Sequence, residues 1–315
     1  MSNRQSPQLR IMQYLGDFFV SVGYIVYMSF IKFFIFNILI YSTLSAHAIE
    51  FQNVNNFDVL EQEEFYDQDT LIIFDVDKVL LVLSEPTDRE YRKERAAART
   101  VYSLWNPKSE LSKQLDQPTK ERLWSIYLQN IQPMLLDPKI PELIQKLQKR
   151  KIKVIALTRF PVGKCGMISS LEEHRVQQLV ANKIDFSKSF PEVYSLTFFQ
   201  FSLQDKHPTF LEGVLFTHMT ACSKGELLKA FFEQISWTPK KVVAFDDKLD
   251  NLRSMQETLN TLEIEFKGFE FTGATQFPAV FDQTLAEFQF QYLLENKKWL
   301  PATEAYKMLD LSSEK

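Results

Sequence analysis

The sequence predicts an α/β fold, with a mainly parallel sheet flanked by helices. Three apolar runs point to it first: Leu-Ile-Ile-Phe at 71–74, Ile-Lys-Val-Ile-Ala-Leu at 152–157 and Lys-Val-Val-Ala-Phe at 241–245. They are short and nearly continuous, as strands buried on both faces of a parallel sheet are. Amphipathic helical spacing precedes two of them. Each run also stops abruptly at polar residues: Asp75, then Thr158 with Arg159, then Asp246 with Asp247. In open α/β sheets, ligands bind outside the carboxyl ends of the strands. These polar residues, far apart in sequence, are therefore expected to converge on one edge.

Composition narrows the function classes. The 315 residues are 45% hydrophobic and 24% charged, which is ordinary for a globular chain and argues against disorder or a polytopic membrane protein. The net charge of −4 gives no basic footprint for nucleic acid. The 28 Phe residues are therefore read as core rather than as a base-stacking platform. Two cysteines are too few for a disulfide framework or a four-cysteine zinc site, and the four histidines form no His-x-x-x-His pair.

In chain order, residues 18–45 are largely apolar, broken by Lys32. Two readings compete. From Met1 the stretch is long enough for a membrane anchor. From Met28, a basic start through Lys32, an apolar stretch from Phe33 to Leu44 and Ala46-His47-Ala48 make the three parts of an export signal cleaved after Ala48. The second is preferred. Residues 1–48 then form a signal peptide, and the mature chain is periplasmic or secreted. Membrane contact is limited to this segment, if it stays uncleaved. Export permits a disulfide, so Cys165 and Cys222 are either a pair or two free thiols.

Residues 49–70 are polar and acidic and lead into the strand at 71–74. The segment 82–137 is rich in helix formers, with Trp105 and Trp124 as apolar anchors, and reads as a small helical cap over the site. Its basic run from Arg89 to Arg99 either lines an anion site or forms a solvated helix face. Ile140, Leu143, Ile144 and Leu147 then make an apolar helix face, with Pro141 tolerated near its start. The interval 160–213 leaves room for a second insertion. Ser223 and Glu226 form a capping-box pattern ahead of Leu227, Leu228, Phe231 and Phe232, a second helix face leading to the strand at 241–245.

The strand ends carry the chemistry. Asp75 and Asp77, one residue apart on the loop leaving a strand, can divide labour between nucleophile and proton carrier. Two carboxylates would repel a phosphate without a cation. Mg²⁺ held by a few carboxylates and a phosphate oxygen solves this. Asp246, Asp247, Asp250 and Asn251 are the candidate further ligands. Lys224 adds positive charge, and the Thr158 hydroxyl with neighbouring N–H groups can bind phosphate oxygens.

This set resembles the haloacid dehalogenase (HAD) superfamily, whose four motifs occur in order from about residue 71 to 262. The first matches Asp75, Asp77 and Val79, the second Thr158, the third Lys224, and the fourth Asp246, Asp247, Asp250 and Asn251. The signal-like N-terminus, the Ser-Lys-Gly-Glu start of the third motif and the tail from Phe266 to Ala305 are similar to an uncharacterised bacterial HAD-like family of unknown function.

The resemblance implies an HAD-like, Rossmann-like domain at 49–315 with the cap at about 82–137. It implies Mg²⁺-dependent hydrolysis of a small phosphorylated molecule, a phosphomonoester, through an aspartyl-phosphate. Asp75 would be the nucleophile and a metal ligand, and Asp77 the general acid/base with its backbone carbonyl on the metal. Asp247, paired with Asn251, is the first choice of ligand in the fourth motif; the other register pairs Asp246 with Asp250. Val79 replaces the usual Thr, and Lys78 stands where a small or acidic residue is common. Lys78 keeps open a HAD-fold binding protein with little or no turnover. The same residues would also serve a phosphotransferase.

Overall fold

A computed structural model describes residues 51–61, 66–84, 113–276 and 282–313. The export segment, the basic run 89–99 and Trp105 lie outside them. Residues 51–315 form one compact unit. Among the described residues, no helix is long and apolar enough to cross a membrane.

The strands are β1 (Gln52–Val54), β2 (Thr70–Phe74), β3 (Leu81–Ser84), β4 (Gln132–Leu135), β5 (Lys153–Thr158), β6 (Ser195–Thr197), β7 (Thr209–Leu211), β8 (Val214–Phe216), β9 (Lys241–Asp246) and β10 (Glu265–Phe271). Eight of them form one sheet in the order β1-β10-β9-β2-β5-β8-β7-β6. The run from β1 to β8 is parallel throughout, and β7 and β6 add antiparallel strands at one edge. The three strands expected from the apolar runs are adjacent, with β2 central between β9 and β5. All five β2 residues are buried, which is why its sequence does not alternate.

Among the described residues the α-helices are α1 (Gln117–Asn130), α2 (Ile140–Lys149), α3 (Leu171–Ala181), α4 (Lys224–Ile235), α5 (Leu249–Thr261), α6 (Gln283–Asn296) and α7 (Ala302–Ser313). Alternate strand residues feed two cores. Ile72, Phe74, Val154, Ala156, Val243 and Phe245 face one side, packed with residues of α1, α2, α3 and α6. Leu71, Ile73, Ile155, Leu157, Val242 and Ala244 face the other, packed with α4 and α5. The result is a helix–sheet–helix sandwich. Phenylalanines run across the first core as a ladder: Phe74 stacks on Phe245 at 5.3 Å, and Phe245 on Phe269 at 4.9 Å. Such contacts add about 0.5–1.5 kcal/mol each beyond the area they bury.

Two expected insertions take specific forms. The interval 160–213 contains α3 and then extends the central sheet through β6 and β7. The β7–β8 hairpin turns at Glu212 and Gly213, with φ of 47° and 84°, as a two-residue turn of the primed kind requires. From the cap segment, β3 and β4 pair antiparallel beside the sheet's carboxyl edge, while α1 buries Leu123, Trp124, Ile126, Tyr127 and Leu128 in the first core. Trp124, read from sequence as a cap anchor, packs at 6.2 Å from Phe160. The middle of the cap segment, 85–112, lies outside the described residues.

Candidate metal centre at the carboxyl edge of the sheet

Asp75 directly follows β2, Asp246 is the last residue of β9 and Thr158 the last of β5. The Asp75 N–H donates to the Phe245 carbonyl at 2.9 Å and so carries the ladder one step past the strand. The β2–β9 register pairs Phe74 with Phe245, which sets Asp75 opposite Asp246 at the same height. Three adjacent parallel strands thus deliver the predicted polar residues to one edge.

Lys224 reaches this edge as the first residue of α4. Ser223 caps the helix with its side chain on the Glu226 N–H, and the Glu226 carboxylate accepts from the Ser223 N–H, a full capping box. The Lys224 ammonium lies 2.7 Å from Asp75 Oδ1 and 2.6 Å from Asp246 Oδ2. All three residues are buried, Lys224 to 1% exposure. A charge that deep needs paired partners, and the two carboxylates supply them. Burial opposes the lysine's charge, but Asp246 and Asp75 outweigh it and hold the ammonium above the usual lysine range. For Asp75 burial wins: its carboxyl is pushed up to about 7, with Lys224 opposing and Asp246 and Asp77 adding to the rise.

Asp246 is the most firmly held of the acids. Besides Lys224, it accepts from Asn251 Nδ2 at 2.8 Å and from the Lys248 N–H at 3.0 Å. Asn251 is buried, and its Oδ1 has no hydrogen-bond partner. Oxygens of Asp75, Asp246 and Asp247 lie within 4.8 Å of one another and could hold a cation. Three hard carboxylate donors suit a divalent cation of the Mg²⁺, Ca²⁺ or Mn²⁺ kind. Asp250 is not brought into this group: its side chain is 87% exposed and pairs with Arg253 at 3.0 Å, one turn outward on α5. Asn251, by contrast, turns inward, but its contact is with Asp246.

Thr158 is buried, and its hydroxyl oxygen accepts from the Phe160 N–H at 3.2 Å, which leaves its proton free to donate. Asp77 is half exposed and receives both Nη atoms of Arg175, at 3.2 and 3.4 Å. Arg175 is buried on α3 and stacks over Phe160, 4.0 Å from the ring centroid. Sequence reasoning missed Arg175. Its only signal was a cationic residue on an otherwise core-facing helix position beside Val176 and Leu179. Lys78 pairs with Asp247 at 3.0 Å.

The remaining candidates are not catalytic in character. Cys165 and Cys222 are free, buried thiols, and burial pushes both up to about 12. They stay protonated at neutral pH and are poor nucleophiles. His218 is buried, with Nδ1 facing the Val162 N–H at 3.2 Å and Nε2 facing the Leu203 carbonyl at 3.0 Å, so both ring nitrogens are used in packing loops together.

An uncharacterized protein of Rickettsia prowazekii is 26% identical over 249 residues, covering 78% of this chain and 84% of its own length. An uncharacterized protein of Rickettsia bellii is 29% identical over 243 residues, covering 72% of this chain and 77% of its own length. Residues 49–305 match a family described as a protein of unknown function, DUF2608. That span takes in the whole sheet and every residue of the acidic edge, and the chain belongs to that family.

Proposed function

We propose that this protein is an exported, Mg²⁺-dependent phosphatase of the HAD type, acting on a small phosphomonoester through an aspartyl-phosphate. One observation carries the reading: a buried lysine bridges Asp75 and Asp246 at the carboxyl edge of adjacent parallel strands, with Asp247 alongside. A solvated acidic loop has no need of such a lysine. The order of the four motifs along the chain supports the same reading. Export is supported by the signal-like pattern ending at Ala48.

Each residue then has a role. Lys224 holds Asp75 at Oδ1 and so orients its carboxylate for attack. Asp75 attacks the phosphorus, the bond to the leaving oxygen breaks, and Asp77 gives that oxygen a proton. Water then attacks the phosphorus, Asp77 takes its proton, and the bond to Asp75 breaks with release of phosphate. The Thr158 hydroxyl donates to a phosphoryl oxygen. Asp75 and Asp247, with the Asp77 carbonyl, would hold the cation. Asp246 acts through Lys224 and closes the charge of the group. The bound cation would offset the negative charge of the phosphoryl group.

A second reading, a cation- or phosphate-binding protein without turnover, is favoured by two contacts. Asp77 is engaged by Arg175, and Asp247 by Lys78. Hydrolysis of an aryl phosphate by residues 49–315, with and without Mg²⁺, separates the two. Mg²⁺-dependent turnover lost in Asp75→Asn is the expected result. Mg²⁺ binding without turnover across a broad panel of phosphoesters would favour the second reading.

A further inference from the structure

The two lysines at the acidic edge differ in kind. Lys224 is 1% exposed, spans two carboxylates and sits in the first turn of a capped helix. It cannot leave without stranding buried charges. Lys78 has one partner, Asp247, and its side chain is 50% exposed, whereas that of Asp247 is 13% exposed. Water can solvate the ammonium of Lys78 if it moves away. Asp247, largely screened from water, needs a positive partner in its place.

The backbone fixes where Lys78 points. Its φ is 68°, in the left-handed region that favours glycine. Its N–H donates to the Leu81 carbonyl at 2.7 Å, and the Leu80 and Leu81 N–H groups both return to the Val76 carbonyl. This tight turn brings Lys78 from the end of β2 across to Asp247, beyond the end of β9.

Charge counting gives Lys78 a use. Asp75, Asp246 and Asp247 face Lys224 and Lys78, three potential negative charges against two positive. A divalent cation held by Asp75 and Asp247 would supply the positive partner that Asp247 needs, and would leave Lys78 without one.

We propose that Lys78 is an exchangeable counter-ion: it holds Asp247 until a divalent cation takes that carboxylate, and it then pairs with the anion that enters, a phosphate or phosphoryl group. The identity of that anion rests on the phosphatase reading; the exchange at Asp247 does not. Two consequences follow from linkage. Lys78 weakens cation binding in the absence of phosphate, because the cation must displace it. Phosphate and cation also favour each other's binding more strongly with Lys78 present than without it, because the displaced ammonium regains a partner.

The test is calorimetric titration of the purified protein with Mg²⁺ at low ionic strength, using wild type, Lys78→Met and Lys78→Arg. Lys78→Met should bind Mg²⁺ about fivefold more tightly than wild type, the scale of one partly exposed ion pair. Lys78→Arg, which keeps the charge, should stay within about twofold of wild type. Inorganic phosphate should tighten Mg²⁺ binding by a larger factor in wild type than in Lys78→Met. Should the methionine variant fold poorly, Lys78→Gly removes the ammonium while suiting the left-handed backbone. Equal or weaker Mg²⁺ binding after loss of the ammonium overturns the exchange and leaves the metal-dependent reading standing. No Mg²⁺ binding by any of the proteins overturns both.

Discussion

At Asp75, burial opposes the charge that the proposed nucleophilic attack would require. An ordinary aspartate ionises near 3.8, whereas burial, with Asp246 and Asp77 nearby and Lys224 opposing, moves Asp75 up to about 7. A folded value above the unfolded one means that the folded state binds the extra proton. The stability this contributes is fully present below 3.8 and is lost as pH rises through about 7. Urea midpoints measured in chelator should therefore fall across that window in wild type, and the fall should be shallower in Asp75→Asn. Equal slopes would show that Asp75 is ionised throughout. Added Mg²⁺ should reverse the trend, since a cation binds the carboxylate and not the acid. Asp75, Lys224 and the Asp246–Asp247 pair were legible in the sequence because each ends an apolar run or starts a capped helix. The partners of Lys78 and Asp77 were not. Arg175 lies 98 residues beyond Asp77, and only the packing of α3 on the sheet brings them together.

The element that matters most to the site is α4, because it carries Lys224. Its second residue, Gly225, lies against α5. A methyl group there would fall 2.1 Å from the Ser254 carbonyl oxygen and 2.3 Å from Thr258 Oγ1. Backbone stands in the way, so relief requires the helices to move apart. The glycine in Ser-Lys-Gly-Glu is thus explained by close approach, not by an unusual φ. Gly225→Ala should destabilise the protein by about 1–3 kcal/mol through overpacking, despite alanine's better helix propensity. Because Lys224 on α4 and Asn251 on α5 both hold Asp246 beside the proposed ligands, the same substitution should weaken Mg²⁺ binding. Chemical denaturation and the Mg²⁺ titration together check this; an unchanged or raised stability would show that α4 and α5 separate freely. Of the two helices in this layer, α4 was readable from apolar periodicity, whereas α5 was not expected. The short strands β1, β6, β7 and β8 were not readable either, since three residues each give too little pattern to distinguish a strand from a loop.

Across the whole molecule, the two large cores share strands and cannot come apart, because the apolar residues of β2, β5 and β9 alternate between one and the other. The C-terminal helices differ. Their own core is small, built on Leu285, Leu300, Ala302 and Ala305. They join the main body through Phe290, Leu293 and Trp299, which belong to the first core. Trp299 is 6% exposed and meets Tyr127 of α1 edge-on at 4.9 Å. Gln289 Nε2 donates to the Leu300 carbonyl at 2.8 Å and pins the α6–α7 connection that presents the indole. Truncating this tryptophan removes the largest side chain of the joint, at a cost of about 3–5 kcal/mol. Trp299→Ala should therefore release α6 and α7 before the sheet unfolds. Limited proteolysis should cut this variant first within 282–313, while a fragment containing the sheet and the acidic edge persists and still binds Mg²⁺. Simultaneous digestion of sheet and tail would instead mean that α6 and α7 are integral to a single folding unit, and that Trp299 stabilises the site as well as the joint.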